Sequence, residues 1–464
     1  MLLTKLAHYG AQATLDDMPE IALHGARRAL LDWLSALYPG TRIDPCGPLL
    51  AAHREELGHG HCSLPGNGTT AFPATAAWIN GSVSHAVEFD DIFRDAAYHP
   101  GCPTIAAALA MAEHLDSDGL ALLKAIVVGY EISTRIGVAV QPSHYRYFHT
   151  TGTVGCFGAA AAAAALCAPG DAAVMQHALA TAATFASGLQ QAFRSDAMTK
   201  ALHAGNAASV GVRAAQAAAH GLTGVPDILE GPVGFGAALA SNPNWALALD
   251  GLGERYNIAA ITVKNHGCCG HTFPAADAVL ALRDAGLRAA DTRAIEVATY
   301  QVALDVTGNY APGTAFEAKF SLPYVVSHAL LYGSVRLNAF SEERLADPAI
   351  RELMKRVSLA ADPVFTAGFP GMRAARVAVT TEQGERYEHF APYRKGDPEA
   401  PLSDAELQAK FTELAEPVIG AARTRALGDA VWALDAGKVR ALRLASDAPA
   451  SATATHPRAA ASLA

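Results

Sequence analysis

Over its first 260 residues this chain offers almost no strand-like alternation; its apolar positions recur at helical spacing, and many of them are alanine. Alanine favours helix and lets neighbouring helices approach closely, so a large helical body is expected. Ile21, Leu23, Leu30, Leu31, Trp33, Leu34 and Leu37 form one such stripe, with Asp17 placed to cap it, Pro19 in its first turn and Pro39-Gly40 at its end. Further helices are predicted over 104–115, 119–137, 157–168, 171–187 and 205–220.

The texture changes after Lys264. Residues 274–284 and 320–333 read as helices, the second with Pro323 near its start. Ile295 to Val302 alternates as a strand, and Arg373–Thr381 with Arg386–Phe390 reads as a hairpin about Gln383-Gly384. Helix returns after Pro401, where Ser403 and Glu406 form a capping box, and continues through Phe411 and Leu414. The predicted fold is mainly α: a large all-α helical domain from residues 1–265 plus 400–445, a smaller α+β lid domain over 266–399, and a disordered tail over 446–464 rich in Ala, Ser, Thr and Pro.

Bulk properties exclude several classes. A net charge of -9 without a basic tract speaks against nucleic acid as a partner. Seven cysteines, an odd number at irregular spacing, do not make a secreted disulfide framework. The start, Met1 to His8, lacks the layout of a signal peptide, and the apolar run Phe157 to Ala168 is too short for a membrane span. A cytoplasmic protein without a membrane partner is expected.

The polar chemistry is concentrated in four stretches: His85 to Asp91 followed by His99-Pro100-Gly101; Tyr145 to Gly152; Thr199 to Asn206; and Lys264 to His271. In the first, Glu88, Asp90 and Asp91 crowd together, and on a helix Glu88 and Asp91 would share a face. His85, Glu88, Asp91 and His99 are metal-ligand types, but no dense spacing of two histidines and an acid fits a known site. In the second, His149 and Thr150 stand just before a helix start, where backbone N–H groups favour an anion, with Tyr145 and Arg146 at the same entry. In the third, Lys200 and His203 lie three apart among small residues. The fourth holds Cys268, Cys269 and His271 without a second metal-spaced pair, so zinc is weak there; Lys264 falls where helical texture gives way to α+β. Lysines that hold carboxylates, beside His, Tyr or Glu that move a proton, suit a small polyanionic substrate.

These stretches, in this order, resemble the MmgE/PrpD family. Gly129-Tyr-Glu-Ile, Leu229-Glu-Gly-Pro-Val-Gly-Phe, Ala318-Lys-Phe-Ser-Leu-Pro-Tyr and Pro401-Leu-Ser-Asp extend the resemblance over nearly the whole chain. The family contains 2-methylcitrate dehydratases, cis-aconitate decarboxylases and an iminodisuccinate epimerase. The resemblance therefore implies a homodimeric enzyme that needs no cofactor or metal and acts on a small di- or tricarboxylate. Matched motif by motif, it puts Glu88, His99, His149, Lys200 and Lys264 in the chemistry and His203 at the substrate; the residue types around them add Tyr145 to the chemistry and Asp91, Arg146, Thr150, Cys269 and His271 to the substrate side. Three positions depart from the family pattern: Glu88 replaces an Asp, Ile92 stands where Thr is usual, and Cys269 occupies the position that decarboxylase-like members fill with His. A dehydratase-type lyase is expected first. An epimerase of an iminodisuccinate-like dicarboxylate comes second, and a non-catalytic polycarboxylate-binding protein is the reading from another class. Decarboxylation of cis-aconitate is expected to be negligible.

Overall fold

The computed structural model describes residues 1–193, 197–369 and 371–447. Two hydrophobic cores organise it. The larger is built by helices from the N-terminal half and closed by Leu402, Leu407, Phe411, Leu427 and Val439 from the C-terminal part. The smaller uses residues from Cys268 to Ala391.

Alanine and glycine set the helix spacing in the large core. The Pro73–Ala86 and Thr199–Ala219 helices cross so closely that a Cβ on Gly205 would meet Ser82 Oγ at 2.1 Å and the Trp78 carbonyl oxygen at 2.2 Å. This crossing places His85, near the end of one helix, beside Lys200 and His203 in the opening turns of the other. The stretch Thr150–Cys167 is, at 18 residues, long and apolar enough to cross a membrane, longer than the run singled out by sequence; 94% of it is buried within the protein. The Asp404–Ile419 helix packs on Glu20–Gly40 and opens with the expected capping box.

The smaller part carries a four-stranded sheet in the order Val357–Ala361, Thr292–Thr299, Ala375–Thr381, Arg386–Ala391. The first pair is parallel and the other two are antiparallel. Ile295 and Val297 face inward, against the Phe273–Asp284 and Leu322–Tyr332 helices that share their core. Ser321 caps the second of these, and Pro323 sits in its first turn, where its missing N–H costs nothing.

Several local expectations need correction. Asp17 does not cap the Glu20–Gly40 helix; its carboxylate accepts from the backbone N–H and hydroxyl of Thr14 instead. The strand predicted over 295–302 ends at Thr299, and Gln301 and Val302 start a helix. The helix predicted from 205 begins at Thr199. Of the tail residues, Ser446 is exposed but Asp447 is packed: it is 3% exposed and accepts from Tyr38 Oη at 2.5 Å. The rest of that tail lies outside the described residues.

Candidate active site

The Pro73–Ala86 helix stops two residues before Glu88, which adopts φ 60°. Left-handed backbone at a non-glycine residue costs about 1–3 kcal/mol and is typical of functional sites. The turn undoes the shared helical face expected for Glu88 and Asp91. It sends three neighbouring acids in three directions.

Asp90 turns into an imidazole cluster. Its Oδ2 lies 2.7 Å from His85 Nδ1 and 3.1 Å from His99 Nδ1, while Oδ1 is 3.6 Å from Lys264 Nζ. Burial works to raise this carboxyl, but His99, His85 and Lys264 outweigh it and hold it well below the usual carboxylate range. Asp91 turns away from the cluster. Its carboxylate accepts from Tyr130 Oη at 2.7 Å and from the Gly101 N–H at 3.0 Å. Burial, reinforced by Asp32, pushes it up to about 7. Its backbone carbonyl meets His99 Nδ1 at 2.8 Å. A carbonyl can only accept, so Nδ1 carries the proton and the lone pair of a neutral His99 ring sits on Nε2.

Two further imidazoles complete the group. His85 stacks on His149 at 5.4 Å between centroids, and His149 Nδ1 lies 3.0 Å from His203 Nδ1. Two nitrogens at that distance share one proton. Burial pushes His85 and His203 down to about 4. Burial and then its imidazole neighbours hold His149 well below the ordinary histidine value.

The lysines form the opposite wall. Lys200 contacts the Glu88 carboxylate, and Lys264 donates to the Glu88 carbonyl at 2.8 Å. Lys319 reaches the Val87 carbonyl at 3.5 Å. Burial, with Lys264 beside it, pushes Lys200 down to about 7, and burial takes Lys319 to about 8. The Glu88 carboxylate opposes this at Lys200 by favouring its charged form.

The remaining sequence-predicted residues fall into two groups. Tyr145 is 38% exposed and lies within reach of the charges of Lys264 and Arg373. Cys269 is half-buried, and burial pushes its thiol up. His271 accepts from or donates to Tyr300 Oη through Nδ1 at 2.7 Å. Arg146 and Thr150 are placed elsewhere. Arg146 is exposed with its guanidinium over the Tyr147 ring, and Thr150 is fully buried with its hydroxyl receiving Gln141 Nε2. Sequence reasoning left out His85 and Asp90 as site residues, and also Lys319, although Lys319 stands inside a quoted motif.

His85, Asp90 and His99 have donor atoms within 4.8 Å of one another, a set that could hold a metal. The fit is poor, because His99 Nδ1 is committed as a proton donor to the Asp91 carbonyl. A separate cavity of about 280 Å³ opens behind Asp91, lined by His24, Arg28, Asp32, Ile258 and Leu402 among others. The imidazoles and lysines do not line it.

Residues 4–248 match the MmgE/PrpD N-terminal domain and residues 266–435 the MmgE/PrpD C-terminal domain. The chain is 27% identical over 460 residues to the cis-aconitate decarboxylase-like protein oryM of Aspergillus oryzae, covering 93% of this chain and 94% of that one. It is 30% identical over 363 residues to the cis-aconitate decarboxylase of Mus musculus, covering 73% and 71%. It is 24% identical over 458 residues to the cis-aconitate decarboxylase of Aspergillus terreus, covering 93% of each.

Proposed function

The chain belongs to the MmgE/PrpD family, and from that premise we propose that it is a cofactor-independent hydro-lyase removing water from a small hydroxy-polycarboxylate of the 2-methylcitrate kind. The coarser statement, a lyase-type enzyme of small carboxylates, is supported by the relatives. The observation that carries the finer one is the fixed tautomer of His99. With Nδ1 donating to the Asp91 carbonyl, Nε2 is left as a base at the edge of the cluster, where the side chain is 16% exposed.

The steps balance without a further reactant. His99 Nε2 takes the proton from the carbon next to a substrate carboxylate, and the C–H electron pair moves into the forming double bond. Lys264 holds that carboxylate and stabilises the charge that develops on it. Asp90 stabilises the imidazolium that forms, as a buried carboxylate beside a ring can. The C–O bond on the neighbouring carbon breaks, and Lys200 donates the proton that makes the hydroxyl leave as water. An ammonium whose pKa lies near 7 is suited to that work at neutral pH.

A second reading is decarboxylation of cis-aconitate, favoured by the names of the relatives. Cys269 argues against it. A thiol pushed up by burial is a weak donor for the carbanion that CO₂ loss leaves behind. The test is incubation with hydroxy-polycarboxylates and cis-aconitate in deuterated water, read by NMR. Elimination of water with deuterium exchange at the carbon next to a carboxylate supports dehydration. Exchange with inversion would replace it by epimerisation, and CO₂ release by decarboxylation.

A further inference from the structure

Arg373 is a half-buried cation near the site that no acidic side chain grips. Its Nε is buried with no hydrogen-bond partner, and its recorded contact is with the face of Phe369, 5.7 Å from the ring centroid. Among the described residues it has no ion pair. Its neighbour Arg394 shows the usual solution: 1% exposed, it grips Asp397 with Nε at 2.9 Å and Nη2 at 2.7 Å. A half-buried guanidinium without an acid is costly, and its planar fork matches a carboxylate.

The groups around Arg373 suit the same ligand. Tyr300 stacks on Phe369 at 5.0 Å, and its hydroxyl meets His271 Nδ1 at 2.7 Å. Burial pushes His271 down to about 4 and raises the Tyr300 phenol, so both are neutral at pH 7. In the tautomer in which Tyr300 donates to Nδ1, the His271 proton sits on Nε2, a donor for an anion. Gly270 is part of the construction: a Cβ there would meet Arg394 Nη1 at 2.8 Å. Tyr145 is within reach of the charges of Lys264 and Arg373 alike.

Resting on the lyase reading above, we propose that Arg373, with His271 and Tyr300 beside it, is a second carboxylate-binding pole facing the lysines, so that the enzyme selects substrates with carboxylates at both ends. It takes the part that the sequence reading gave to Arg146, which lies exposed on Tyr147.

The test is direct binding, measured by calorimetry for tricarballylate and by ligand-observed NMR for propionate, on the wild type and on Arg373→Met and Arg373→Lys. Removing a charge-assisted contact should weaken tricarballylate by about tenfold or more in Arg373→Met. Propionate, which needs only the lysine pole, should bind as to the wild type, and Arg373→Lys should recover part of the loss. Unchanged tricarballylate binding in Arg373→Met overturns the proposal. So does an equal loss for both ligands, or a wild type that binds no tricarballylate. Should Arg373→Met fail to fold, Arg373→Lys and Tyr300→Phe carry the test: wild-type tricarballylate affinity in both overturns it. A protein that shows this binding pattern but no proton exchange with any polycarboxylate keeps the pole and loses the lyase assignment.

Discussion

His99 Nδ1 lies 2.8 Å from the carbonyl oxygen of Asp91, and this contact decides which nitrogen of the ring can act as a base. The carbonyl belongs to a residue whose side chain is bound on the far side, by Tyr130 and Gly101. Asp91 thus serves the site through its backbone. His99→Asn keeps a donor toward that carbonyl and removes the base. Its turnover, and deuterium exchange next to the substrate carboxylate, should fall by about 10²–10⁴-fold. The melting temperature should change little. Exchange at the wild-type rate would move the base elsewhere in the cluster.

The pH dependence should report Lys200. As the proton donor to the leaving hydroxyl it must be charged, so kcat should fall as pH rises through about 7. Glu88 touches Lys200 and favours its charged form. Glu88→Gln withdraws that support, lowers the lysine pKa further and should move the alkaline limb of the profile to lower pH. Lys200→Arg, charged at every working pH, should lose that limb together with most of the activity. A limb that stays in place in Glu88→Gln would separate Lys200 from the proton transfer.

The helical body was legible because alanine-rich helical periodicity is a local signal, and the capping box at Ser403 and Glu406 is equally local. The strand Val357–Ala361 was not: its parallel partner lies some sixty residues away in sequence, and only Val357 of its five residues is buried. In the site, the residue types were readable and their directions were not. The left-handed turn at Glu88 breaks the helical spacing, so Asp90 rather than Asp91 meets the imidazoles. In the sequence Arg373 opens an ordinary hairpin strand with Arg376 three residues on, and only the fold brings it near Tyr145 and His271.

A buried ion pair joins the Asp404–Ile419 helix to the site. Lys410 Nζ lies 2.6 Å from Asp32 Oδ1 and 3.1 Å from the Phe89 carbonyl, with neither charged side chain more than 1% exposed. Removing one partner strands the other charge. Lys410→Met should destabilise the fold by about 3–5 kcal/mol, and Asp32→Asn with Lys410→Met together should recover much of that. Denaturant melts of the single and double variants check it. Equal losses in Lys410→Met and the double variant would show that packing, not charge, dominates there.

Metal removal should have no effect. The proton that His99 Nδ1 donates to Asp91 denies that nitrogen to a cation. Enzyme treated with chelator and desalted should keep its full rate. A loss reversed by one divalent ion would assign His85, Asp90 and His99 as its ligands.

Cis-aconitate discriminates between this chain and the decarboxylases it is similar to. Losing CO₂ leaves a carbanion that must be protonated at carbon by a nearby acid. At the position where the family resemblance leads one to expect His in a decarboxylase-like member, this chain has Cys269, a thiol that burial pushes up and keeps neutral. Ile92 has no side-chain donor, and its backbone is tied in a bridge to Thr262. The lysines remain, so cis-aconitate should bind; the proton source is missing, so it should not react. Itaconate formation by the wild type, followed by NMR, is expected to be negligible beside its exchange with hydroxy-polycarboxylates. Cys269→His supplies an acid at that position and should raise itaconate formation measurably while slowing dehydration. Efficient CO₂ release by the wild type would make decarboxylation this enzyme's own reaction and would show that Cys269 is no barrier to it.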